Sequence, residues 1–244
     1  ATGSLGQGLS VGVGMALCAR LDHLDYRTYV LLGDGECAEG AVWEAASLAG
    51  SCQLNNLVAI VDVNRLGQSQ ATPFGHDLSV YKKRFEAFGW RTEEIDGHDL
   101  EEIVEVLAAV GLGDQPLVIL AKTLKGAGVS FIQDKDGWHG KPLSKEEAAR
   151  AAAELRPTAR SGIGRPIPAP SELPAPKNET PAAYPPPAYS LGDMVATREA
   201  YGNALARMGE VNLRIVAMDA DTVFAPDTIS KRSASLGART NEDD

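Results

Sequence analysis

The chain has 244 residues, 44% of them hydrophobic, which is enough for a buried core and for one large or two small domains. Its formal net charge of −10 argues against nucleic acid or an anionic membrane as a main partner. No stretch approaches the roughly 20 apolar residues of a membrane span, and Cys18, Cys37 and Cys52, odd in number and without metal or redox spacing, read as reduced thiols of a cytoplasmic protein.

Taken in chain order, Ser4 to Leu21 carries small residues at close intervals (Gly6, Gly8, Gly12, Gly14, Ala16, Ala19) and predicts a tightly packed helix. Its beginning, Gly3-Ser4-Leu5, can either turn backbone N–H groups and the positive dipole end toward a diphosphate or simply start a glycine-rich packing helix. Arg27 to Leu32 reads as a buried strand, Glu39 to Gly50 as a helix, and Leu57 to Val63 as a second strand rich in β-branched residues. Gly89 to Ile95 predicts a third strand. Leu100 to Val110 predicts an amphipathic helix with Ile103, Val106, Leu107 and Val110 on one face. Pro116 to Ala121 is a short apolar strand, and Ser144-Lys-Glu-Glu147 is a capping box for an alanine-rich helix to about Leu155. Strands alternating with helices imply an α/β fold with a doubly wound parallel sheet. Residues 157–190 hold ten of the fourteen prolines and read as an extended linker between a first domain, 1–156, and the beginning of a second α/β domain, 191–244. The latter would contain a helix from Thr197 to Met208 and a strand from Leu213 to Met218.

The chemistry concentrates where the first two strands end. Gly33-Asp34-Gly35-Glu36 closes the first, and Asn64 closes the second thirty residues after Asp34. Open parallel sheets place ligand sites at these carboxyl ends. A carboxylate and a carboxamide oxygen are hard donors suited to a Mg²⁺ that completes its octahedron with phosphate and water. Glycines beside Asp34 let the backbone approach a phosphate without a Cβ in the way. The competing readings are an ordinary N-cap for Asp34 and a simple turn residue for Asn64. Lys125 lies in a glycine-flanked loop, and His139 lies between Trp138 and Gly140. An imidazole there can exchange a proton near neutrality.

Ala1-Thr-Gly-Ser-Leu-Gly-Gln-Gly8, Leu32-Gly-Asp-Gly-Glu36, Trp43-Glu44-Ala45, Asn64-Arg-Leu-Gly-Gln-Ser69, Phe88-Gly-Trp90, Asp96-Gly-His98, Lys125-Gly126 and Trp138-His-Gly-Lys-Pro142 resemble transketolase in order and spacing. The wording after Asn64 is similar to the animal-type branch, and the resemblance covers roughly residues 1–225. It implies a thiamine diphosphate-binding fold, here incomplete, with the start of a second domain. It further implies Mg²⁺ (Ca²⁺ or another divalent ion as the alternative) on Asp34, Asn64 and the backbone carbonyl of Leu66. Cofactor contacts would come from Gly3, Ser4, Leu5, Gly35, Asn64, Lys125 and His139. His139 would be the catalytic residue and would also meet the substrate, whose phosphate Arg198 would grip. The reaction implied is transfer of a two-carbon ketol unit between sugar phosphates, in the pentose phosphate pathway, by a cytoplasmic homodimer.

The same resemblance makes the chain a partial one, lacking both ends. A family glutamate would lie beyond Asp244 and substrate-flanking histidines before Ala1, so the segment is expected to be inactive by itself. Val223-Phe224-Ala225-Pro226 and the tail Ser233–Asp244 depart from the family pattern. Two alternatives stand beside this reading. One is another thiamine diphosphate enzyme, such as a deoxyxylulose-phosphate synthase; the other is a non-catalytic pseudoenzyme or truncated product that keeps Mg–thiamine diphosphate binding.

Overall fold

The computed structural model describes residues 4–155, 183–187, 189–212 and 215. The chain divides into two units, Ala1–Ile163 and Gly164–Asp244. In the first, the described elements are helix α1 (Gln7–Leu21), strand β1 (Thr28–Gly33), a single turn at Glu36–Ala38, α2 (Gly40–Ser51), β2 (Leu57–Val63), α3 (Leu78–Ala87), β3 (Arg91–Asp96), α4 (Leu100–Ala108), β4 (Leu117–Lys122) and α5 (Lys145–Glu154). The strands form one all-parallel sheet in the order β1-β2-β4-β3.

Burial explains the layering. On one face Leu9, Val42, Ala46, Leu57, Tyr81, Phe85 and Trp90 form the main core beneath α1, α2 and α3. On the other, Val58, Ile119 and Leu117 meet Val106 and Val110 at α4. Helices on both faces make the sheet doubly wound, as the alternating pattern predicts. α1 lies close to the sheet because residue 12 has no side chain: a Cβ at Gly12 would overlap Val30. Trp90 donates its indole N–H to the Ala46 carbonyl at 2.8 Å and stacks edge-on to Phe85 at 5.3 Å, so one aromatic ties β3 to α2 and α3.

Two predicted elements differ. The first helix begins at Gln7, not Ser4, because Gly6 adopts φ +82° and Ser4 to Gly6 form a turn. A left-handed residue cannot continue a right-handed helix. β1 is buried on one face alone. It is an edge strand of this sheet, and Tyr29 and Leu31, 50% and 71% exposed, point away from α1. An apolar run alone does not say whether a strand lies at an edge or in the centre. α3, absent from the sequence expectation, is capped by Asp77, whose carboxylate accepts from the Ser79 amide.

In the second unit the described helix is α6 (Thr197–Val211), beside which Asn203 donates to the Tyr189 hydroxyl at 2.6 Å. The predicted strand Leu213–Met218 except Ile215, most of the proline-rich stretch and Val223–Pro226 lie outside the described residues.

Candidate functional site

Parallel pairing sets the first coincidence of the site. Gly33 stands opposite Asp62 in the β1–β2 register, so both chains leave the sheet at the same edge, one into Asp34 and the other into Asn64. Asp34 is 4% exposed. Its Oδ1 accepts from the Gly35 amide at 2.8 Å. Its Oδ2 accepts from the Arg65 amide at 2.7 Å and the Thr72 hydroxyl at 3.0 Å. Burial pushes the carboxyl above its usual range, the hydrogen bonds from Thr72, Gly35 and Arg65 pull it back, and the neighbouring Asp62 charge adds to the rise. A buried carboxylate with an unfavourable net environment is a group that a cation would stabilise.

Asn64 is fixed in orientation. Its Nδ2 donates to Asp62 Oδ2 at 3.0 Å, while its Oδ1 accepts from the Leu66 amide at 3.1 Å in a tight local turn. Arg65, at φ +62°, makes that turn. Leu66 pairs antiparallel with Ala71, flanked by bonds from Thr72 N to Arg65 O and from Gly67 N to Gln70 O. Leu66 is therefore the non-hydrogen-bonded member of the ladder, and its carbonyl turns away from Ala71. An ionised carboxylate has about four acceptor positions and an amide oxygen two. The internal bonds above use three on Asp34 and one on Asn64, so each oxygen set retains acceptor capacity. Among the described residues no cluster of three or more His, Cys, Asp or Glu side chains could hold a metal; the donors expected from the sequence are instead one carboxylate, one carboxamide and one backbone carbonyl.

The second wall of the site comes from the ends of β4 and the loop after it. A cavity of about 620 Å³ is lined by Asp62, Asn64, Thr123, Lys125, Trp138 and His139 among others, within the ordinary range for small-molecule sites. Lys125 Nζ lies 3.0 Å from His139 Nδ1. An ammonium can only donate, so Nδ1 accepts and the ring proton of the neutral imidazole sits on Nε2. His98 Nε2 accepts from the Leu124 amide at 2.8 Å, and His76 Nε2 donates to the Thr123 carbonyl at 3.0 Å. His76 is thus half-buried and bonded. The Thr123 hydroxyl donates to Asp62, linking β4 to β2 directly beneath Asn64.

Of the residues predicted from sequence, Asp34, Gly35, Asn64 and Leu66 come together, and Lys125 and His139 pair beside Asn64 in the cavity. Ser4 and Leu5 are exposed in the turn before α1. The next amide, Gly6 N, donates to Glu36 Oε1 at 2.8 Å, while Glu36 Oε2 accepts from Gly33 N at 3.2 Å. Glu36 thereby pins the start of α1 to the end of β1, a role that its place in the Gly-Asp-Gly-Glu phrase could have suggested. Gly3 lies outside the described residues, and Arg198 is on α6 with its side chain outside them. Thr72, Asp62, Thr123 and Asp134 are further members of the site region; Thr72, Thr123 and Asp134 act across tens of residues, so nothing local marks them, whereas Asp62 meets Asn64 two residues on as well as Thr123 across the sheet.

Comparison with known proteins shows what the chain is similar to. Residues 1–159 match the family model described as "Transketolase, thiamine diphosphate binding domain". The chain is 46% identical to a transketolase of Mus musculus over 225 residues, which is 91% of this chain and 36% of that protein. It is 44% identical to a transketolase-like protein 2 of the same organism, again over 91% of this chain and 36% of the relative. It thus spans about a third of the length of these relatives. Among solved structures, a transketolase of Campylobacter jejuni superposes with a TM-score of 0.59 at 35% identity, covering 63% of this chain and 25% of that one. A Pichia stipitis transketolase in complex with sedoheptulose 7-phosphate gives 0.57 at 32% identity, covering 63% of this chain and 24% of that one.

Proposed function

The chain belongs to the transketolase family, and we propose that it forms the diphosphate half of a thiamine diphosphate site serving two-carbon ketol transfer between sugar phosphates. The observation that supports this reading is that the Arg65 amide ties the turn carrying Asn64 and Leu66 to the buried Asp34 carboxylate, with acceptor capacity left over on Asp34 and Asn64.

In this reading Asp34, Asn64 and Leu66 hold a divalent cation, Mg²⁺ by the hardness and small number of protein donors. Gly3, Ser4, Leu5 and Gly35 line the diphosphate side, and Lys125 brings positive charge to an otherwise acidic region. Thiamine diphosphate, when bound, supplies the thiazolium carbon that takes up and releases the two-carbon unit. The protein's own part is positional. Asp62 and Thr123 hold the Asn64 carboxamide in one orientation. Lys125 holds the His139 tautomer, so the ring presents Nε2–H as a donor to a substrate oxygen. Arg198 is the proposed grip for the substrate phosphate, a task for which a guanidinium fork is suited. A homodimer, a cytoplasmic setting and a place in the pentose phosphate pathway complete the proposal.

The test is thermal. A ligand that binds only the folded state at a hundredfold excess over Kd adds about 2.7 kcal/mol of stability. Addition of Mg²⁺ with thiamine diphosphate should raise the melting temperature of the chain, and Asp34→Ala should abolish the rise. A folded chain whose melting temperature does not move under saturating ligand would overturn the reading.

A further inference from the structure

One residue of the proposed cation loop also touches the opposite wall. The Arg65 amide donates to Asp34 Oδ2 at 2.7 Å, and the Arg65 carbonyl accepts from Thr72 N at 2.8 Å. Its guanidinium leaves in the other direction, with Nε donating to Asp134 Oδ1 at 2.6 Å and Nη2 to the Asp134 carbonyl at 2.9 Å. The Asp134 amide in turn donates to the Lys125 carbonyl at 2.9 Å, and Lys125 Nζ meets His139. Polar contacts therefore run from Asp34 through Arg65 and Asp134 to the Lys125–His139 pair, with each step either a hydrogen bond or a side chain's own covalent frame. Both turning points, Arg65 and Asp134, have positive φ, +62° and +56°, conformations that non-glycine residues seldom adopt without a local reason. The two-point grip needs a planar fork, which lysine cannot reproduce.

We infer that Arg65 and Asp134 are positioning residues that keep the Lys125–His139 pair in register with the cation ligands, so that the two walls of the site are set by one linkage. The inference rests on the reading of Asp34, Asn64 and Leu66 as cation ligands and adds to it a means by which occupancy of that site reaches His139.

The experiment uses the 244-residue chain as wild type, Arg65→Met, Asp134→Asn and the double variant, read by amide hydrogen exchange and by the imidazole NMR signals of His139. Without ligand, the amides of Gln133 and Asp134 should exchange roughly tenfold faster in Arg65→Met, the scale expected for loss of a charge-assisted pair of bonds. Asp134→Asn, which keeps an acceptor and the backbone bond to Lys125, should give a smaller acceleration. The double variant should be no faster than Arg65→Met, because the carboxylate has no role once the guanidinium is gone. β2 amides should stay protected throughout. Unchanged loop rates, additive effects, or equal acceleration in β2 would each overturn the inference, the last by showing a merely global role.

In the second arm, Mg²⁺ with thiamine diphosphate should move both the Leu66 amide and the His139 ring signals of the wild type. In Arg65→Met only the Leu66 amide should move; equal movement of both would overturn the linkage. A wild type in which neither signal moves would overturn the cation reading, and the ligand-free rates would then decide separately whether Arg65 and Asp134 hold the loop.

Discussion

Thr72, 7% exposed, directs its hydroxyl at Asp34 Oδ2 and is the one side-chain donor to that carboxylate beside the Gly35 and Arg65 amides among the described residues. Thr72→Val keeps the shape and removes the donor, and should lower the stability of the chain by about 1–3 kcal/mol, read by denaturant unfolding. Asp34 also shapes the pH dependence. Its folded value lies above the ordinary 3.8, mainly through burial, so its contribution favours folding fully below 3.8 and is lost as pH rises through the folded value. In metal-free buffer, stability should therefore carry a component that falls across that window, and Asp34→Asn should remove it. Cys37 offers a third check. Burial first, then the Glu36 and Asp34 charges, push its thiol up to about 12. At pH 8 an alkylating reagent should modify the exposed Cys18 and leave Cys37 untouched until the chain unfolds, as mass spectrometry would show.

Among the elements, α5 is the one whose start the sequence states most openly. Ser144 and Glu147 form both bonds of the capping box, and the Ser144 amide holds the Glu147 carboxylate below its usual range. Ser144→Ala should cost about 1 kcal/mol of helix stability. The Glu147 share is present above about 4.5 and disappears as pH falls through its lowered folded value, a loss that circular dichroism can follow. α5 also steadies the loop carrying His139, because Glu154 accepts from the Ser130 amide and hydroxyl. The start of α1 was less legible: small residues continue back to Gly3, and nothing in that composition reveals that Gly6 takes a left-handed conformation against Glu39. α3 had a readable stripe in Leu78, Tyr81 and Phe85, with Lys82, Lys83 and Arg84 interrupting it. Arg84, itself exposed, proves to lie over the rings of Trp43 and Phe74, so its guanidinium covers aromatic surface from the solvent side.

At the scale of the molecule, the sheet of the first unit is covered unevenly. α4 covers the β3–β4 side of one face, whereas Leu31 and Tyr29 on β1 remain open. Leu31→Lys should change folding stability by no more than about 0.5 kcal/mol, as at other surface sites, while reducing concentration-dependent association measured by light scattering. Most strands and helices of the first unit, though not α3, the positions of Asp34 and Asn64 at strand ends, and the family could be read from the chain, because periodicity and short motifs are local properties. Only tertiary structure decided that Asp34 is buried with three donors, that Asp62 and Thr123 orient Asn64, and that Arg65 reaches Asp134. Those contacts join residues brought together by parallel pairing and loop packing, and such partners carry no signature in the sequence around either one.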